Sequence, residues 1–184
     1  MMKKITTLIL ILIFETTICS AQSVYDFNLN STIKMDGIYM DNDTLYIAEG
    51  WDGSKIYKVE PNGSVSVFAT GLNGPIDIIK RSTGYFYVSE WNQSRISQIS
   101  QLGVVSPYST VSPGPGPMAL DSLENIYVTH NLGNGSGVVT KIDLGGVASI
   151  LASGSLLVNP GGITLDNEEN VLIANFNNGK IIKI

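Results

Sequence analysis

The sequence predicts an all-β protein, a β-propeller made of four-stranded antiparallel blades. Three observations carry that expectation. A strand-like segment returns four times, as LYIAEG (45–50), FYVSEW (86–91), IYVTHN (126–131) and VLIANF (171–176), with starts 41, 40 and 45 residues apart. Each return sits at the same place within a longer unit of short alternating runs divided by turn residues. No stretch after residue 21 keeps a helical period over a useful length. A unit of about 40–45 residues holding four strands is the mark of a propeller blade, because stacking blades around an axis buries the sheet faces that a lone blade leaves wet.

Taken in order, residues 1–21 read as a secretory signal. Lys3 and Lys4 form a positive start, ITTLILILIF (5–14) an apolar centre, and Cys19-Ser20-Ala21 places small residues before a cut at Gln22. The apolar run is shorter than the ~20 residues a membrane span needs. A lipid anchor on Cys19 is the second reading, against which stands the bulky Ile18. Residues 22–184 then form the propeller domain, in units at about 31–72, 73–114, 115–158 and 159–184. Each unit opens on a short apolar strand led by Gly or Pro: MDGIYM, GPIDII, GPGPMAL and NPGGITL. A turn cluster follows (DNDT, RSTG, SLEN, NEEN), then the recurring strand, a polar loop, and a third run: SKIYKVE, SRISQIS, VVTKIDL and GKIIKI. Three units continue through a Gly turn into a fourth strand, SVSVFAT, VVSPYST or VASILAS. Between units, SPGPGP (112–117) reads as a stiff linker, and NLGNGSG (131–137) as a long hairpin loop.

Charge excludes some functions. The chain carries 11 basic and 16 acidic residues. Lys3, Lys4 and Glu15 leave with the signal, so the mature chain keeps 9 and 15, a net charge of −6. Nucleic acid and anionic membrane surfaces both call for a basic stripe, so neither is expected as a partner. Cys19 is the one cysteine. The mature domain is therefore expected to hold by packing and strand pairing, with no disulfide or thiol chemistry.

NPGGITLDNEENVLIANFNNGKIIKI (159–184) resembles an NHL repeat: a Pro-x-Gly opening, an apolar strand closing on Asp, a turn, a second apolar strand ending in a polar residue, then Asn before a third. GPMALDSLENIYVTHN (116–131) resembles it nearly as well, and the units at 35–59 and 75–99 more loosely. The same units are similar to the gluconolactonase and senescence-marker-protein superfamily and to the streptogramin B lyases. The resemblance implies a ring of six or seven blades, of which four are visible here. Two readings stand open. The four are a sector of a larger ring, or they close a four-blade ring in which SVYDFN (23–28) supplies the outermost strand of the last blade.

In such a blade the start of the first strand and the end of the second reach the same face near the axis, so two positions matter. The first follows the opening Pro. The gluconolactonase resemblance implies a divalent cation held from it by oxygen ligands, which suits Ca2+ or Mg2+. Asp36, Ile76, Gly116 and Gly161 stand there, and a slip of one residue brings in Asp77. The metal candidates are Asp36 and Glu49, with a turn-capping role as the plainer alternative for Asp36. The second position holds Glu49, Glu90, His130 and Asn175. These are expected either to bond neighbouring backbone or to face one shared mouth, where carboxylates and an imidazole could bind a cation or move a proton. His130 is the single histidine, too few for a His-rich zinc site. Trp51 and Trp91 are the only tryptophans and are expected beside that mouth, where rings hold sugars or cations or else shield the gap between blades. Tyr46, Tyr87 and Tyr127 recur at one strand position and are expected to pack blade against blade.

The functional expectation is an exported binding or interaction module, periplasmic or extracellular, that holds a protein, a glycan or a small ligand through Glu49, Trp51, Glu90, Trp91, His130 and Asn175. The alternative is a metal-dependent lactonase or a lyase, with the cation near Asp36 and Glu49.

Overall fold

A computed structural model describes residues 34–184. The signal-like segment and SVYDFN lie outside the described residues. Four antiparallel sheets follow one another along the chain. The first contains β1 (Ile38–Asp41), β2 (Thr44–Ala48), β3 (Lys55–Val59) and β4 (Val65–Thr70). The second contains β5 (Pro75–Lys80), β6 (Phe86–Glu90), β7 (Arg95–Ile99) and β8 (Val105–Thr110). The third contains β9 (Pro115–Leu120), β10 (Ile126–Asn131), β11 (Gly137–Ile142) and β12 (Ala148–Gly154). The fourth contains three strands, β13 (Pro160–Leu165), β14 (Val171–Asn175) and β15 (Ile181–Lys183). Strand order equals chain order in every sheet, the up-and-down meander of a blade.

The recurring strand is the second of each blade and is the most deeply buried. All five residues of β6 are buried, although two of them, Ser89 and Glu90, are polar. A strand inside a propeller is covered on both faces, so strict apolar–polar alternation is lost there. Three core clusters fill the three spaces between successive blades. Tyr46, Ala48 and Ile56 meet Ile78, Phe86 and Val88 in the first. Tyr87 and Ile96 meet Met118, Ile126 and Val128 in the second. Tyr127 and Val139 meet Val171 and Ile173 in the third. The recurring tyrosines thus face the following blade, as their spacing predicts. Each buried aliphatic or aromatic side chain contributes roughly 1.5–3 kcal/mol.

Polar staples join the turns on the opposite face. The Ser82 amide donates to Glu124 Oε1 at 2.7 Å, and one blade later the Ser122 amide donates to Glu169 Oε1 at 2.7 Å. Both glutamates sit at a left-handed turn position, with φ of 62° and 65°. Near the axis the first strands come so close that Gly37 is required. A Cβ there would lie 2.6 Å from the Ile76 carbonyl oxygen, which accepts the Gly37 amide at 2.7 Å. Among the described residues no core cluster joins the first blade to the fourth, so the blades form an arc. Ile38 and Ile181 on the two end blades are exposed, so the described residues do not by themselves close a four-blade ring.

Candidate functional site

A β-bulge marks the mouth end of the first strand in the second, third and fourth blades. Pairing jumps between Pro75 and Asp77, between Pro115 and Met118, and between Pro160 and Ile163. A bulge re-aims the residue it carries. Ile76, Gly116 and Gly161 fall within these jumps and, with Asp36 of the first blade, line a cavity of about 540 Å3 at the axis. Trp51, Trp91 and Phe176 form its aromatic wall, and Asn131, Asn159 and Asn177 its polar rim.

The aromatic wall has a local cause. At the exit of strand two one residue donates its amide to the linker that enters its own blade: Trp91 to Gly74 O at 2.9 Å, Asn131, the last residue of β10, to Gly114 O at 3.1 Å, and Phe176 to Asn159 O at 3.0 Å. That bond fixes the backbone as the chain leaves the sheet, and the side chain projects over the mouth. Trp91 then enters a short 3-10 turn, Trp91–Gln93, closed by Ser94 at φ 48°. Gly114 allows the linker to pass, since a Cβ on it would lie 2.4 Å from Asn131 O. Phe176 is 86% exposed and Trp51 55% exposed.

The residue one step earlier turns the other way. Glu90 is fully buried, and its carboxylate accepts the Asn73 amide at 2.8 Å, Arg95 Nε at 2.9 Å and Arg95 Nη2 at 3.0 Å, together with the Ser97 hydroxyl. Asn175, also buried, accepts the Val158 amide at 3.1 Å and donates to Leu156 O at 2.7 Å. Glu49 accepts the Ser54 amide at 2.7 Å and the Tyr57 hydroxyl at 3.2 Å. His130 is fully buried, and neither ring nitrogen has a hydrogen-bond partner. Burial pushes its pKa down to about 4, against a smaller opposing pull from the backbone of Ser112 and Pro113. Glu90 and Asn175 thus hold the linkers 71–74 and 155–159, and His130 packs beside 112–113. None of Glu49, Glu90, His130 and Asn175 lines the cavity, whereas Asp36, Trp51 and Trp91 do.

Two carboxyl groups stand close to the axis. Burial raises the pKa of Asp36. Asp77 is raised to about 6, chiefly by burial, while the amides of Met118 at 2.7 Å and Ile78 at 2.9 Å pull it down and the charge of Asp36 pushes it up. The Met118 bond ties the second blade to the third. Among the described residues no three His, Cys, Asp or Glu side chains gather as metal ligands. Of the two metal candidates, Asp36 lines the cavity and Glu49 does not, its two oxygens accepting from Ser54 and Tyr57 of its own blade.

Sequence reasoning missed Phe176. The repeat alignment holds the signal, since ANF (174–176) sits in register with SEW (89–91), which sets Phe176 on Trp91.

Among solved structures, the chain is similar to the virginiamycin B lyase from Staphylococcus aureus, with 20% identity over 85% of this chain and 57% of that one, at a TM-score of 0.69. A gluconolactonase from Xanthomonas campestris matches with 13% identity over 82% and 57%, at 0.68. A chain of a nidogen/laminin complex matches with 15% identity over 78% and 57%, at 0.65. The fold is a β-propeller. At these identities the likeness extends to the fold alone, and the chain spans 57% of the length of each of these neighbours. No family model and no curated protein sequence matches it.

Proposed function

We propose that this chain is an exported propeller module that binds a ring-bearing ligand, a glycan or a small cyclic molecule, in the mouth of its central channel. The observation that carries the reading is the cavity of about 540 Å3 walled by Trp51, Trp91 and Phe176. Aromatic faces bind the apolar faces of sugars and rings, and a few polar groups then fix orientation. Asp36, Asn131 and Asn177 are placed to serve as those groups. A propeller in a nidogen/laminin complex shows that the same fold is found in a protein complex, so a protein ligand with an exposed aromatic or glycan is within the reading. Export rests on the signal-like residues 1–21, and an acidic mature chain fits a ligand other than nucleic acid.

Trp51 and Trp91 are the only tryptophans, so intrinsic fluorescence reports on the mouth directly. Titration with a panel of neutral oligosaccharides and cyclic lactones should shift or quench the emission, and Phe176→Ala should abolish the response without loss of fold. A flat response across the panel would remove the support for this site.

A second reading is favoured by the raised pKa values of Asp36 and Asp77 on adjacent blades, since perturbed carboxyls cluster at reactive sites. It is a lactonase or lyase with Ca2+ or Mg2+ at the axis. Two carboxylates fall short of the six to eight oxygens that calcium takes, so carbonyl oxygens and waters would have to complete the set. Thermal unfolding in EDTA and then in added calcium separates the readings: a rise in Tm with calcium favours the metal enzyme, and no shift favours the binding module.

A further inference from the structure

The axial cavity is uneven in charge. One equivalent position per blade contributes to its lining, as Asp36, Ile76, Gly116 and Gly161. Among the described residues Asp36 is the only ionisable side chain in that lining. The neighbouring carboxylates are occupied. Glu49 accepts from Ser54 and Tyr57, Glu90 from Arg95, and Asp77 from the Met118 and Ile78 amides. Asp52 pairs with Lys34 Nζ at 2.7 Å, which offsets the charge of that lysine. Asp36 is exposed, and among the described residues its carboxylate accepts no such bond and meets no cation.

The free carboxylate stands beside the aromatic wall. A Cβ on Gly50 would lie 3.8 Å from the Asp36 Cβ, and Trp51 is the next residue. The Trp51 ring already attracts an ammonium, since Lys34 Nζ lies 5.7 Å from its centroid. Indole faces draw cations through the ring quadrupole, more strongly as water is excluded. The third and fourth blades offer space instead. Gly116 and Gly161 are outside the left-handed region, and a Cβ on either would meet nothing nearer than 3.6 Å. The fold does not demand glycine at these two places. Their bare backbone leaves room for the body of a ligand whose charged end lies at the first blade.

We infer that the ligand of this mouth carries a positively charged nitrogen on or beside its ring, as an amino sugar or a cyclic ammonium does, and that Asp36 pairs with it. The inference rests on the function proposed above and adds the ligand's charge to it. Asn131, Asn159 and Asn177 on the rim can serve the hydroxyls of a neutral sugar. A lone carboxylate beside an indole selects a cation, because bonds between charged groups are the stronger ones. A chain with 16 acidic and 11 basic residues also draws cations toward it. The pairing uses residues of these four blades alone, and lining contributed from elsewhere would add to them.

Tryptophan-fluorescence titration of the full chain tests this, in EDTA so that no metal contributes. The probes are the glucosamine trisaccharide at mildly acid pH, where its amines are charged, the N-acetylglucosamine trisaccharide, which keeps the rings without the charge, and benzyltrimethylammonium, a permanent cation. The glucosamine trisaccharide should bind at least about tenfold more tightly than its N-acetyl form, the scale of one bond to a charged group. Benzyltrimethylammonium should compete with it. In Asp36→Asn the preference should fall to within about twofold, and Asp36→Glu should keep most of it. Raised salt should shrink the preference in the wild type, a reading that stands even where Asp36→Asn does not fold. Equal binding of the two trisaccharides would overturn the inference and leave the aromatic mouth standing. A preference that survives folded Asp36→Asn, or that salt does not reduce, would overturn it by removing Asp36 from the pairing. Silence from all three probes would remove the mouth as a ligand site, and this inference with it.

Discussion

Glu90 and Trp91 are neighbours in the chain, and so are Asn175 and Phe176, yet the two members of each pair have opposite fates. Glu90 and Asn175 turn inward and hold the linker that enters their blade. Trp91 and Phe176 turn out over the channel and wall a cavity. One step along a strand reverses the direction of a side chain, and here that step separates the groups that hold the arc together from the groups that can meet a ligand. The lesson is that a polar residue repeated at a propeller mouth is not thereby a ligand contact. In this chain the polar ring is structural and the aromatic ring beside it faces the open space.

The largest effect is expected at the inward position. Glu90→Ala strands the Arg95 guanidinium and leaves the Asn73 amide without its acceptor, at a cost of about 3 kcal/mol, the scale for breaking a buried charge pair. Urea unfolding should show it as a lowered midpoint at constant slope. A change within about 0.5 kcal/mol would break the comparison at its strongest point.

Two buried titrating groups should produce opposing pH dependences. His130 has a folded pKa of about 4 against 6.5 in the unfolded chain. Its contribution is present above pH 6.5 and is lost as pH falls toward 4, by about 3 kcal/mol at 1.36 kcal/mol per unit. Asp77 is raised to about 6 from 3.8. Its contribution is present below pH 3.8 and is lost as pH rises through 6, again by about 3 kcal/mol. The windows overlap, so the wild type should be nearly flat between pH 4 and 6. Asp77→Asn should uncover stability that climbs with pH, and His130→Leu should uncover stability that falls with pH. Parallel slopes in the two variants would contradict these assignments.

Asn175→Ala comes next, at about 1–3 kcal/mol for the Val158 amide and Leu156 carbonyl left unpaired. Smallest of all in stability is Phe176→Ala, one residue on. With 86% of its surface exposed, its loss should move the unfolding midpoint by no more than about 0.5 kcal/mol, while the fluorescence response to ligand disappears.

Much of the fold was legible in the sequence because a propeller repeats its physics. The alignment of LYIAEG, FYVSEW, IYVTHN and VLIANF placed the second strand of all four blades, and turn residues placed the rest. The direction of the strand-two terminal residues was not legible. Their partners, Asn73 for Glu90 and Val158 for Asn175, lie 17 residues earlier, and nothing in the local pattern says that a linker passes beneath the carboxylate or amide. The bulges were hidden as well. They decide that Asp77 turns into the junction to meet Met118, while Ile76, Gly116 and Gly161 line the axial cavity where the repeat predicts them. Phe176 was visible in the alignment, but a lone Phe beside NN and Gly carries less signal than a Trp. The open faces of the arc also needed the structure, since nothing in the sequence distinguishes Ile38 and Ile181, 65% and 67% exposed, from the buried strand isoleucines.

In the function proposed here the aromatic ring, and not the buried polar ring, meets the ligand. The most direct measurement compares Phe176→Ala with Asn175→Ala in the tryptophan-fluorescence titration, each with its unfolding curve. Phe176→Ala should lose binding at unchanged stability, and Asn175→Ala should keep the wild-type dissociation constant at lowered stability under conditions where it is folded. Binding that survives Phe176→Ala and is lost in folded Asn175→Ala would contradict it.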